Sequence, residues 1–245
     1  MIYKFRAGSD AWLETRRNFL MATEVAPMFG LNPYTSIAEV FRKKDRPDKL
    51  DNKFLRAGRI YEPAVINALK VDLDWDVGYL DGTGESSFVF ALPEHRLAST
   101  PDAWRWDDPS VVEAKTTSQD SFNRYWRSGE PPLWYICQVQ AQMFTANMDK
   151  AYLVCLALTP DPPLAVYQVD ISPEFCKRMT ELAAIFYEKS EKGESLRSNV
   201  KDKEFATKEL RKSTKLISIS EYREAFPGAI NIEDLFRGTG DGQIN

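Results

Sequence analysis

Histidine is almost missing. A single imidazole, His95, stands in 245 residues, so a histidine-rich zinc centre or a histidine-metal nuclease lacks ligands, and a Ser-His-Asp triad has one candidate base. Cysteine is nearly as scarce. Cys137, Cys155 and Cys176 are widely separated and form no C-x-x-C, which argues against a zinc ribbon, a four-cysteine iron–sulfur cluster or a disulfide scaffold and fits a reducing cytoplasm. Neither G-x-x-x-x-G-K-[ST] nor G-x-G-x-x-G occurs, so the usual phosphate loops for ATP and dinucleotides are missing. The longest strongly apolar stretch, Ala151 to Leu158, is far short of the ~20 residues of a membrane helix. The start, Met-Ile-Tyr-Lys-Phe-Arg, has no signal-peptide core. The expectation is a cytoplasmic chain with no membrane partner, whose chemistry runs on carboxylates, lysine, arginine and a hard cation.

What is present is globular. Hydrophobic residues at 43% and charged residues at 28% exclude disorder or low complexity for the whole. The net charge of -4 hides an asymmetry: residues 1–59 hold 12 of the 32 basic and 7 of the 36 acidic residues. Between Arg42 and Arg59 the basic residues Arg42, Lys43, Lys44, Arg46, Lys49, Lys53, Arg56 and Arg59 face only Asp45, Asp48 and Asp51. Such a stretch either binds phosphates or forms a solvated helix face.

The pattern predicts helices first. Ser9 or Asp10 caps one carrying Trp12, Arg16 and Phe19; a short one runs from Thr23 to a stop at Gly30; a third begins at Ser36; and a longer one spans 52–70 with Glu62 on it. Strands are predicted over 87–92, 97–106 and 110–117, helices over 119–127 and 133–147, strands over 150–158 and 164–171, and a helix over 173–191. One domain over residues 1–192 follows, helical in 1–70 and sheet-containing in 71–192, with 193–245 a charged, partly flexible extension.

The chemistry concentrates in Ser99-Thr-Pro-Asp-Ala-Trp104 and Ser110-Val-Val-Glu-Ala-Lys-Thr-Thr117. On adjacent strands of a hairpin, Asp102 and Glu113 can meet across the ladder, and alternation puts Glu113 and Lys115 on one face. Two carboxylates attract Mg²⁺, with the backbone carbonyl of Ala114 as a further oxygen; the cation offsets phosphate charge and acidifies a water that Lys115 holds or deprotonates. Spacing alone leaves a second reading open, a cross-strand salt bridge between Lys115 and either acid. Pro-Asp also occurs at Pro47-Asp48 and Pro160-Asp161. Only the 110–117 segment, with Val111 and Val112, reads as a buried strand, where charges need partners.

Pro101-Asp102 followed by Glu113-Ala114-Lys115 resembles the signature of the PD-(D/E)XK nuclease superfamily. Further segments resemble the phage lambda exonuclease and YqaJ-like viral recombinase family: Gly8-Ser-Asp-Ala-Trp12 with Arg16 and Ala22-Thr23-Glu24-Val25, then Gly58-Arg-Ile-Tyr-Glu62, then Gln138-Val-Gln140. The landmarks keep the family's order over residues 8–190. The fold implied is α/β (α+β), a restriction-endonuclease-like core with a central mixed β-sheet flanked by helices.

The resemblance implies a site residue by residue. Asp102, Glu113, the Ala114 carbonyl and Glu62 would hold Mg²⁺, with Mn²⁺ as substitute; Lys115 and Gln138 would complete the catalytic set, with Gln140 and Gln142 as weaker candidates for the glutamine. Arg16 and Thr23 would bind a 5′-terminal DNA phosphate, and Trp12 would touch the DNA end. The activity implied is a Mg²⁺-dependent 5′-to-3′ exonuclease that digests one strand of linear duplex to mononucleotides and leaves 3′ single strands. The implied setting is a phage or prophage protein in a bacterial host, a homotrimer ring around DNA that hands its product to a single-strand annealing protein. A structure-selective or restriction-like endonuclease and a non-catalytic DNA-end-binding protein are the alternatives.

Overall fold

The computed structural model describes residues 1–6, 8–45, 53–159 and 162–217. Its centre is a helix. The run Leu133–Ala146 forms α6, and from Ile136 to Met143 every residue is buried, because the helix is covered by a sheet on each side. A four-stranded sheet of order β1-β4-β5-β2 lies against it, built from Ile2–Arg6, Ser86–Leu92, Leu97–Ser99 and Leu20–Met21. On the other side is a six-stranded sheet of order β10-β9-β8-β7-β6-β3. Its strands are Thr214–Ile217, Leu164–Asp170, Lys150–Ala157, Ser110–Thr117, Ala103–Arg105 and Val77–Gly78.

The larger sheet is mixed, as expected. β7 and β8 run parallel with Glu113 opposite Leu153, while β6–β7 and β8–β9 are antiparallel. A parallel pair needs a long crossover, and Gln119–Tyr125 (α5) together with α6 supplies it. After Lys150, every residue of β8 is buried, as an inner strand covered on both faces must be. The outer layer of this sheet is Lys53–Leu73 (α4), which packs on β7 and contributes Val65, Ile66, Leu69 and Leu73 to the core.

At the other end of the chain come Asp10–Asn18 (α1), a 3-10 turn at Ala22–Glu24, Val25–Met28 (α2) and Ile37–Asp45 (α3). Ser9 caps α1, its side chain accepting from Trp12 N. Gly30, at φ +66°, ends the second helical stretch as its position predicts.

Three features depart from the sequence reading. Two strands, β1 and β2, lie in the stretch read as helical: β1 pairs Ile2–Arg6 with Ser86–Phe90, and β2 pairs with β5. The strand expected over 97–106 is two strands, one in each sheet, separated at Thr100–Asp102 by the proline bend. Past Lys192, Val200–Lys212 forms α8 and Thr214–Ile217 pairs with β9, so order continues beyond the expected domain end. Pro173–Glu191 (α7) holds α8 through Arg178, whose Nε donates to Asp202 Oδ1 at 2.8 Å. The remaining tail from 218, and Arg46 and Lys49 of the basic stretch, lie outside the described residues.

Candidate active site

The bend between the sheets delivers Asp102. Because Ala103 is in register with Val112, Asp102 stands next to Glu113 across the ladder, and its Oδ2 accepts from the Ala114 backbone N–H at 2.9 Å. Val111 and Val112, both wholly buried, fix β7 and hold Glu113 at 1% exposure. Two residues along, on the same face, Lys115 donates to Glu113 Oε1. The salt bridge and the convergence of two acids, offered by spacing as alternatives, therefore coexist.

Glu113 is held from a second side. Gln138 and Gln142, one turn apart on α6, donate their amide N–H groups to Oε1 and Oε2 of its carboxylate. Gln140 points elsewhere: its amide bonds Asp170 O and Ser213 Oγ, and its Oε1 accepts from Ser172 N. It ties α6 to the β9 end, outside the site. Sequence reasoning ranked Gln142 with Gln140; the four-residue spacing from Gln138 was the signal that separates them.

Glu62 arrives from α4. Burial, and then the negative charge of Glu113, push its carboxyl above the usual range, while Tyr79 and Lys115 pull it down. Tyr79 was not foreseen. It follows the edge strand β3, and burial first, then Glu62, push its phenol up to about 12. A loop holds this ring: Asp81 accepts from the backbone N–H groups of Thr83, Gly84 and Ser86. Gly84, at φ +76°, is needed there because a Cβ would lie 3.0 Å from the Tyr79 ring.

Electrostatically the cluster is overloaded with negative charge. Burial, followed by Glu113, raises the Asp102 carboxyl well above its ordinary value, with Lys115 opposing. Burial works against the Lys115 ammonium as well, yet Glu113 and Asp102 outweigh it and raise its pKa. Three carboxylates thus share one lysine in a poorly hydrated place. Among the described residues no three His, Cys, Asp or Glu side chains already form a cage tight enough for an ion. The donor chemistry nonetheless fits a hard divalent cation: the groups are oxygen donors, and their charge is left short of cations. The amide oxygen of Gln142 adds to this, being buried with no hydrogen-bond partner.

Arg16 and Thr23 stand apart from that cluster. Arg16 lies 4.7 Å over the Trp12 ring; burial lowers its pKa and Glu24 opposes the change. Lys44 buttresses this corner, donating to the carbonyls of Arg16 and Phe19 and pairing with Glu24 at 2.6 Å. It acts as a strut rather than as part of a solvated basic face. Arg17 pairs instead with Glu14 on the exposed side of α1. Thr23 is exposed at the 3-10 turn that follows β2. The topology aligns this turn with the acidic cluster, because β2 runs parallel to β5, Met21 opposite Ala98. Both strands leave the sheet in the same direction, one toward Thr23 and the other toward Asp102. Trp12 is half-buried against the small cluster of Met21, Val89, Ala91 and Ala98, with its Nε1 buried and unpartnered.

The fold is a mixed sheet flanked by helices, with a Pro-Asp bend set beside a Glu-x-Lys strand, the α/β arrangement expected from the sequence. The chain belongs to the YqaJ-like viral recombinase domain family, whose model matches residues 11–149. Solved structures share its fold, and two of them are of one enzyme. One is an alkaline exonuclease (LHK-Exo) from Laribacter hongkongensis, 16% identical, TM-score 0.59, covering 83% of this chain and 99% of that one. The other is LHK-Exo in complex with dAMP, 16% identical, TM-score 0.60, with the same coverage. No curated protein matches the chain. Among the described residues no helix is long and apolar enough to cross a membrane.

Proposed function

We propose that this chain is a Mg²⁺-dependent 5′-to-3′ exonuclease that degrades one strand of linear duplex DNA from a 5′-phosphorylated end. The observation that carries the reading is the convergence of Asp102, Glu113 and Lys115 with Glu62 in a charge-rich cluster, Glu113 buried and the others half-buried. Family membership supports the DNA nuclease class, and the dAMP bound by the fold-mate LHK-Exo accords with a mononucleotide product.

Asp102, Glu62, Glu113 and the Ala114 carbonyl would hold the cation. When bound, it would offset charge on the scissile phosphate and lower the pKa of a water ligand. The protein's own groups have distinct tasks. Gln138 and Gln142 fix the Glu113 carboxylate. Lys115, kept protonated by its acidic neighbours, donates to the attacking water or to a phosphate oxygen and orients it. Arg16, with its guanidinium fork, and the Thr23 hydroxyl bind the terminal phosphate, so that the first phosphodiester falls at the acidic cluster. Trp12 supports Arg16 from below. The same reading carries a ring-shaped homotrimer, a phage or prophage origin, and a single-strand annealing protein as recipient of the 3′ strand.

The test is digestion of end-labelled linear duplex with and without Mg²⁺. Mononucleotide release from the 5′-labelled end, dependent on cation and slowed by removing the 5′ phosphate, is the expected result. Cutting of a circular duplex at the same rate would establish an endonuclease instead, and binding without cleavage would establish an end-binding protein.

A further inference from the structure

A band of aromatic side chains at the mouth of the site has no part in hydrolysis. Along α6, Gln142, Gln138 and Trp134 follow at four-residue spacing and share a face. Exposure rises in that order, from 1% at Gln142 through 7% at Gln138 to a half-buried Trp134. Trp134 then meets Tyr34 edge-on, with centroids 5.8 Å apart and planes at 87°. It meets Tyr125 at 6.4 Å and Tyr135 at 5.5 Å. The Tyr135 ring carries the Lys115 ammonium 5.0 Å from its centroid. Ring contacts therefore lead without a break from the site's lysine to Tyr34, which is 74% exposed.

The outer end is held in place. Asn32 Oδ1 accepts from the backbone N–H groups of Tyr34 and Thr35, so the loop presents the tyrosine in a set position. Positive charge flanks the band: the Arg124 guanidinium lies 5.9 Å from the Tyr125 ring. The N-cap of α6, Pro132, supplies no side-chain acceptor, which leaves the positive end of a 14-residue helix facing the same mouth.

We propose that Trp134, Tyr34 and Tyr125 form a stacking platform for unpaired bases of the DNA strand whose phosphates enter the acidic cluster. The proposal rests on the nuclease reading above and goes beyond it by assigning the bases a binding surface. An unpaired base loses its stacking partner when a duplex end opens, and an aromatic face replaces it whatever the sequence; arginine and a helix N-terminus suit the accompanying backbone. The band is aromatic and basic and runs into the site, which fits a nucleic-acid strand better than an aliphatic protein surface.

The test uses the full chain in chelator, so that nothing is cut. A labelled oligothymidylate and an abasic strand of equal length present the same backbone with and without bases. The expected result is tighter binding of oligothymidylate by the unaltered protein, and loss of that preference, by roughly 5- to 100-fold, in Tyr34→Ala and Trp134→Ala. Trp134→Phe should keep most of it. Tyr34, projecting into solvent, keeps the test valid if Trp134→Ala does not fold. Equal affinity for the two strands, or an undiminished preference in Tyr34→Ala, overturns the proposal. The nuclease reading fails by a different result, a Lys115→Ala protein that still digests duplex with Mg²⁺, so the two failures are distinguishable.

Discussion

Gln142 and Glu113 are joined across the floor of the site, the amide N–H of one donating to Oε2 of the other, and both are about 1% exposed. The carboxylate dictates the orientation of the amide, since a flipped Gln142 would oppose two acceptors. The cost is a buried Oε1 with no partner. Gln142→Leu keeps the volume but removes a donor to a buried anion, which costs roughly 1.5–3 kcal/mol. Urea unfolding should show a loss of that order, partly offset by deleting the orphaned oxygen, and cation-dependent hydrolysis should fall with it. Wild-type stability together with wild-type activity in this variant would remove Gln142 from the site.

Two sets of carboxylates should give stability opposite responses to pH. Asp102 and Glu62 hold protons more tightly in the folded chain, their pKa values raised above the ordinary 3.8 and 4.5 by burial first and then by neighbouring charge. The folded state then binds more protons than the unfolded one as pH rises from that range. Stability therefore falls as pH climbs through the raised values, and the penalty is complete above them. A divalent cation binds the ionised form, so Mg²⁺ should raise the melting temperature more at pH 7.5 than at pH 5. A shift of equal size at both would contradict the metal assignment.

Asp202 has the reverse sign. Its hydrogen bond to Arg178 lowers its pKa, so its contribution is present above the ordinary 3.8 and is lost as pH falls through the depressed value. The pair links α7 to α8 and, through α8, steadies β10 against β9. Asp202→Asn should destabilise the chain at pH 7 by roughly 1–2 kcal/mol, Arg178 being about a third exposed. The deficit should shrink toward pH 3 in thermal melts. A pH-independent deficit would mean that packing, not charge, accounts for it.

Much of this architecture is legible in local pattern, and the exceptions share a cause. α7 is read with its observed bounds because Pro173 and one apolar face mark it. Asp102, Glu113 and Lys115 are legible because strand alternation and a short hairpin are local rules. β1 shows period-2 burial, Tyr3 and Phe5 facing in, but its partner strand begins only at Ser86, and nothing in five residues announces a pairing that distant. The split of 97–106 is marked locally by Pro101, which cannot continue a strand ladder; what is tertiary is that the two halves join different sheets. Tyr79 depends on α4 reaching across to it, which no spacing reports.

Arg16 provides a test of end recognition. Its guanidinium rests on Trp12, a contact that orients the fork without occupying its in-plane donors. Arg16→Ala should reduce digestion of 5′-phosphorylated duplex by roughly 10- to 100-fold, as expected for loss of a charge-assisted contact of about 1.5–3 kcal/mol. Ends bearing a 5′ hydroxyl should be digested at nearly the original rate. Equal losses on both substrates would place Arg16 in the scaffold rather than in the phosphate pocket.

Lys115 is the residue on which hydrolysis and electrostatics make separate demands. Its ammonium bonds Glu113 and faces Tyr135, and the acids around it keep it protonated. Lys115→Met preserves the stem but removes the donor that orients water or phosphate. The rate with saturating Mg²⁺ should fall by roughly 10²–10⁴-fold, with little change in DNA affinity measured in chelator. The same substitution leaves Asp102, Glu62 and Glu113 without their shared counter-charge. In chelator, the melting temperature of Lys115→Met should therefore drop below that of the parent increasingly as pH rises, and Mg²⁺ should recover most of the difference without restoring the rate. Recovery of rate and stability together would show that the lysine only balances charge and takes no part in the chemical step.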